Sequence, residues 1–286
     1  MKVILNIFIF ALVLFLYLHI IYHMKVCNDL ELIDIENYSK DTLEEICDLR
    51  QPVRFLYTGM LLDNCFLDKL KNDYLGFDVN IRNYQKNKEN LYNPISLKEL
   101  NKNIDNGESI LSENNFDFLE ETSLIKYCKS EDSLIRPYVV SSCNYDLIFG
   151  NNINTILKYN INYRNFFLVI DGEIDVKLTP PKNIKYLDVD KDFDLLEFRS
   201  NVDPWNTSGS DKVKYLDLTI SKNQILFIPA YWFYSFKFKD NAKILSFCYR
   251  TFMNTLAISP FLVKQFLEKQ NVPKNILSNL TDIYKY

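Results

Sequence analysis

His19 and His23 are the only histidines in the chain, and both lie near its amino terminus. Beyond position 23 no imidazole is available to act as a base or a metal ligand. Serines are frequent, but a Ser–His pair is impossible in the body of the chain. Six cysteines, at 27, 47, 65, 128, 143 and 248, show no C-x-x-C spacing and have no histidine beside them, which argues against a zinc site. Their even number suits disulfides in an oxidising lumen; their scatter suits buried thiols, the simpler reading. Carboxylates concentrate in DVDKDFD, residues 188–194, with Glu197 just beyond. A calcium loop of the EF-hand kind needs Gly at its sixth place and Glu at its twelfth, where this run has Phe193 and Arg199. It reads instead as a solvated edge strand or loop.

The elements around these residues narrow the classes further. The chain has 286 residues, 48% of them apolar, including 19 Tyr and 21 Phe, which is ample for a sizeable core. Glycine is scarce, at 6 residues, and neither a G-x-G-x-x-G nor a P-loop run is present. A net charge of −4 gives no basic footprint for nucleic acid. Residues 3–22, VILNIFIFALVLFLYLHIIY, match the ~20 apolar residues that a bilayer span requires. A cleaved signal peptide has a shorter apolar core, ~7–15 residues, followed by small residues, whereas 18–24 are all bulky. The segment therefore reads as an uncleaved anchor, a membrane contact through residues 3–22. Lys2 and Lys25 flank it too evenly to set its sidedness.

Residues 1–23 are thus expected as a transmembrane anchor, 24–40 as a polar juxtamembrane stalk, and 41–286 as one domain. Within it, 41–137 reads as a helical N-terminal section. Asp41-Thr-Leu-Glu44 and Ser96-Leu-Lys-Glu99 are capping boxes for two short helices. Residues 52–58 and 76–81 read as strands, and Asp63 as the cap of a further helix. From 138 to 255 short runs rich in Ile, Val, Phe and Tyr alternate with turn signals, as in a barrel or sandwich. Asp171-Gly172 reads as a two-residue hairpin turn. Residues 256–286 read as C-terminal helices, one opened by Ser259-Pro260 and a second over 273–283.

The order of these signals resembles the JmjC-type, cupin-8 branch of the cupin superfamily over roughly residues 50–260. RQPVRFLYTG is similar to the strand that opens such domains, and ISLKEL to the short helix before the barrel. NTILKYNINYRNFFLVIDGEIDVKLTPP resembles the stretch that carries a His-x-Asp motif, a following Asn and a hairpin Gly. ISKNQILFIPAYWFYSFKF resembles the strand that ends in a second His. The resemblance implies a mainly β fold with flanking α, a double-stranded β-helix (cupin or jelly-roll barrel) behind the N-terminal transmembrane helix.

Active members of that family hold Fe(II) with two His and one carboxylate and use 2-oxoglutarate. The resemblance sets Lys158 at the first His position, Asn160 at the carboxylate and Tyr234 at the second His. Ile174 stands near the co-substrate lysine. An ammonium has no lone pair to give, an amide is a weak donor, and a phenol of ordinary pKa ~10 stays protonated. Asn165, Gly172 and Pro229, which serve geometry, are retained. The reading is therefore a pseudoenzyme that lacks the metal triad, takes no metal and no cofactor, and has a non-catalytic binding or structural role. Its partner would be a protein or a small-molecule ligand, with Lys158, Asn160 and Tyr234 as the ligand-binding positions. The alternative is a divergent 2-oxoglutarate/Fe(II) hydroxylase with unusual ligands. Alternation along the strand points Trp232, Tyr234 and Phe236 inward, and Tyr231 and Phe233 outward. Asn165, Trp232 and Phe236 are then the candidates to line a pocket, against the reading that aromatic side chains simply fill the core.

Overall fold

A computed structural model describes residues 2–59, 70, 72–83, 91–206 and 212–270. The helix expected after Asp63 and the one expected over 273–283 lie outside the described residues, apart from Leu70.

Helix α1 (Lys2–Met24) has 23 residues and rises about 34 Å at ~1.5 Å per residue, against ~30 Å of bilayer hydrocarbon. Most of its side chains are exposed. It is long and apolar enough to cross a membrane, a pattern that signal sequences share. Its last turn is fixed by aromatic contact, the buried His23 ring meeting Tyr163 edge-on at 5.0 Å.

The segment expected as a polar stalk is partly strand. β1 (Ile33–Ile35) pairs in parallel with β2 (Val53–Leu56), and Arg54 grips Asp34 through two bonds of 2.7 and 3.0 Å. Leu30 and Leu32 pack on the domain's core. Acidic residues dominate the composition there, but they alternate with apolar ones, and a period of two lets a strand bury one side while charges face water. Helix α2 (Lys40–Cys47) follows, capped by Ser39, whose hydroxyl accepts from the Thr42 amide at 3.2 Å. The cap thus falls two residues before the expected Asp41, which sits in the first turn. α3 (Leu97–Asp105) is capped as expected by Ser96, which accepts from the Glu99 amide. α4 (Phe116–Glu121) and α5 (Ile125–Glu131) complete this section, which also contributes β3 (Asp78–Arg82), β4 (Tyr92–Ser96) and β5 (Ile110–Ser112).

The rest is mainly β. β6 (Val140–Asn151), β9 (Arg164–Asp171), β14 (Gln224–Pro229) and β16 (Ala242–Thr251) join β1–β5 in a nine-stranded sheet. A second sheet has seven strands: β7 (Ile153–Asn154), β8 (Lys158–Tyr159), β10 (Glu173–Thr179), β11 (Val189–Asp192), β12 (Glu197–Ser200), β13 (Leu216–Ser221) and β15 (Phe233–Phe238). Side chains from both sheets share one apolar core, where Phe167 of β9 meets Tyr234 and Phe236 of β15 with ring centroids 5.3 and 5.0 Å apart. Among the described residues two helices follow β16: α6 (Phe252–Ala257), against which α1 packs, and α7 (Ser259–Gln270) at the expected Ser-Pro start.

Asp171-Gly172 is not a hairpin turn. β9 and β10, on either side of it, belong to different sheets. Gly172 has φ +76°, and a Cβ there would meet the Asn241 carbonyl at 2.9 Å. The same Asp-Gly chemistry that tightens a hairpin here turns the chain through a corner from one sheet to the other. The inward and outward alternation of 231–236 does hold. Trp232, Tyr234 and Phe236 enter the core between the sheets, while Tyr231 and Phe233 pack on the far side with Tyr159 and Phe198.

Candidate functional site

Strand register brings two of the three candidate positions side by side. Lys158 on β8 is the direct partner of Tyr234 on β15. Asn160, just past β8, is held by its carbonyl, which accepts from the Tyr231 amide at 2.8 Å. Its side-chain amide then donates to the Tyr234 hydroxyl at 3.1 Å and toward the Asn165 carbonyl oxygen at 3.3 Å. Burial pushes the Tyr234 phenol well above its ordinary range, so the hydroxyl stays neutral.

Lys158 turns to a different set of partners. Its ammonium donates to Glu113 Oε2 at 2.8 Å and lies 3.8 Å from Glu197. Arg82 pairs with the same two carboxylates, with Glu113 in a close contact and with Glu197 at 2.8 Å. Tyr92 completes the group, 3.4 Å from Glu113. Two cations and two anions thus neutralise one another, drawn from the ends of β3 and β8, the start of β12 and the turn after β5. Burial works against the Lys158 ammonium, but the Glu113 and Glu197 carboxylates outweigh it and raise its pKa. Burial likewise opposes the Glu113 carboxylate, and the Lys158 and Arg82 charges hold it well below the usual range.

These residues border a cavity of about 340 Å³ between the sheets. Lys158, Asn160, Tyr234 and Phe236 all line it. Asn165 and Trp232, expected as lining residues, are not among those that do. Asn165 on β9 instead ties to its partner strand β14, donating to the Ile228 carbonyl at 3.2 Å, and Trp232 is wholly buried in the core. Aromatic side chains fill the deeper space without closing it.

Sequence reasoning missed Arg82, Tyr92 and Glu113, and set Glu197 aside with a solvated acidic run. The run does form an edge strand, β11, but Glu197 opens the next strand inward and lines the cavity. No spacing ties positions 82, 113, 158 and 197 together; only the approach of β3 and β5 in one sheet to β8 and β12 in the other does. Arg250 and Asp146 also line the cavity, and no local sequence signal marks either one.

The donor set does not suit a divalent metal. The three positions hold an ammonium already bound to carboxylates, and an amide bonded to a protonated phenol. Among the described residues no group of three or more His, Cys, Asp or Glu is arranged to hold one.

Two β sheets around a polar, ligand-sized cavity define the class as a pocket-bearing β domain. The chain belongs to the cupin-like domain family: that family's model matches residues 63–254, about two thirds of its length. The comparison with curated proteins returned no match.

Proposed function

We propose that this chain is a membrane-anchored, cupin-like pseudoenzyme whose two sheets form a double-stranded β-helix with a non-catalytic binding role. The observation that carries the reading is the Lys158–Glu113 contact of 2.8 Å. It puts a neutralised ammonium where the resembled oxygenases place a metal-binding imidazole. A cation committed to two carboxylates neither ligates a metal nor welcomes one beside it. The cavity nevertheless persists, which supports binding over a purely packed core.

Anchoring rests on α1, whose apolar surface is exposed and whose last turns meet the domain. A second, mainly apolar cavity of about 610 Å³ lies at that junction, between Leu18 and Tyr22 of α1 and Tyr138, Val139 and Phe252 of the domain. Val139 and Phe252 are exposed beside a helix end that a bilayer would hold at its interface. The test of the whole reading is turnover. The purified chain, given Fe(II), oxygen and 2-oxoglutarate, is expected to form no succinate above a protein-free blank. Succinate formation that scales with chain and with iron would establish the hydroxylase alternative.

A further inference from the structure

β6 and β16 are neighbouring strands of the larger sheet, and alternate residues of each face the cavity. On β6 these are Asn144, Asp146 and Ile148, and on β16 they are Ser246, Cys248 and Arg250. Arg250 is the last of its row, two residues before α6 begins. Its Nε donates to Asn162 Oδ1 at 2.6 Å, and among the described residues no carboxylate pairs with it. Every other charge on the wall is answered. Lys158 and Arg82 balance Glu113 and Glu197, and Asp146 accepts the backbone amides of Asn114 and Asn115 at 2.9 and 2.6 Å. Burial works against the charge of this half-buried guanidinium, whose terminal nitrogens have no protein partner among the described residues. The cost is recovered when an anion fills the fork, since paired oxygens match guanidinium geometry through two parallel bonds.

We infer that the cavity binds a small organic anion, with its carboxylate or phosphate oxygens on the Arg250 guanidinium and its uncharged body directed toward Ile148, Phe167 and Phe236. This rests on the non-catalytic reading and names the ligand class of the same pocket. The site differs from the one the family resemblance would supply. Position 174, where a co-substrate lysine would stand, is an isoleucine buried in the apolar core.

The experiment uses the full chain in lipid nanodiscs with EDTA present. Butyrate, its neutral isostere butyramide and inorganic phosphate are titrated by ligand-observed NMR. The wild type is expected to bind butyrate at least ~10-fold more tightly than butyramide, the discrimination of about 1.4 kcal/mol that one charge-assisted fork readily supplies. Arg250→Gln is expected to erase that preference and Arg250→Lys to keep part of it. Phosphate binding lost in Arg250→Gln together with butyrate binding would place the recognition in the anionic head. Phosphate bound alone, without butyrate, would overturn the role given to the apolar body. Should Arg250→Gln not fold, the wild type still decides. Butyrate is expected to slow modification of Arg250 by phenylglyoxal, read by peptide mass spectrometry, and butyramide is not. Equal affinity for acid and amide, or no protection of Arg250, would overturn the assignment while leaving the non-catalytic reading standing. Butyrate binding that appears only after Fe(II) replaces EDTA would overturn both.

Discussion

Glu113→Gln isolates the contact on which the non-catalytic reading stands. The Glu113 side chain is 6% exposed and that of Lys158 17%. Replacing the carboxylate leaves Lys158 only the 3.8 Å approach to Glu197, and Arg82 the 2.8 Å contact with the same group, so two cations share one anion. Removing one partner from such a buried ion pair costs ~3–5 kcal/mol. In a domain of this size 1 kcal/mol moves the midpoint by ~2–4 °C, so thermal unfolding of the full chain, followed by near-ultraviolet circular dichroism, should fall by about 6–20 °C. Lys158→Met should cost less, ~1–3 kcal/mol, because Glu113 keeps Arg82. The double variant should be more stable than the sum of the two losses by ~1–3 kcal/mol, since each side chain is the other's reason for being charged. A fall of less than ~2 °C for Glu113→Gln, or strict additivity in the double variant, would show that the two groups are not coupled.

Acid should expose the same network. Glu113, facing Lys158, Arg82, Tyr92 and Glu197, has its pKa held below the ordinary value, so its contribution is present above that value and is lost as pH falls through the folded one. Asp146, raised by burial despite two backbone amides, works in the opposite sense. The midpoint should therefore drop between about pH 5 and about pH 2, and Glu113→Gln should flatten that limb; an unchanged slope would clear Glu113 of the effect. Gly150→Ala places a Cβ within the ring of Phe238 and should destabilise by ~1–3 kcal/mol, measured by urea unfolding. Anchoring predicts that the mature chain keeps residues 2–24 and stays with membranes through alkaline carbonate extraction. A mature amino terminus beyond Met24 would mark α1 as a cleaved signal instead.

The β core was legible because its strands are short runs rich in Ile, Val, Phe and Tyr set between turn signals. The aromatic strand from Tyr231 to Phe236 could be assigned inside and outside before any coordinates, since alternation is a local property. The Asp171-Gly172 corner was misread because a turn signal reports a sharp change of direction, not which strand receives the chain. β1 was hidden by composition: Asp29, Glu31, Asp34 and Glu36 look like a solvated linker until Leu30, Leu32, Ile33 and Ile35 are seen to interleave with them. The candidate site was half legible. Lys158, Asn160 and Tyr234 could be singled out from the order of strand motifs, and they do converge. The partners of Lys158 could not, because Arg82 and Glu113 lie 76 and 45 residues away and meet it only when the sheets assemble. Arg250 stood near the end of a mainly apolar strand that also carries Lys243 and Ser246, with nothing local to mark it.

Manganese binding followed by electron paramagnetic resonance tests the central claim most directly. Mn(II) is a redox-stable stand-in for Fe(II) at oxygen and nitrogen donors, and its six-line solution signal fades when a protein takes it up. The account predicts that the full chain leaves this signal undiminished, with or without 2-oxoglutarate. Stoichiometric loss of the signal in the wild type, restored by Tyr234→Phe or Asn160→Ala, would show that these side chains hold a metal and would contradict it.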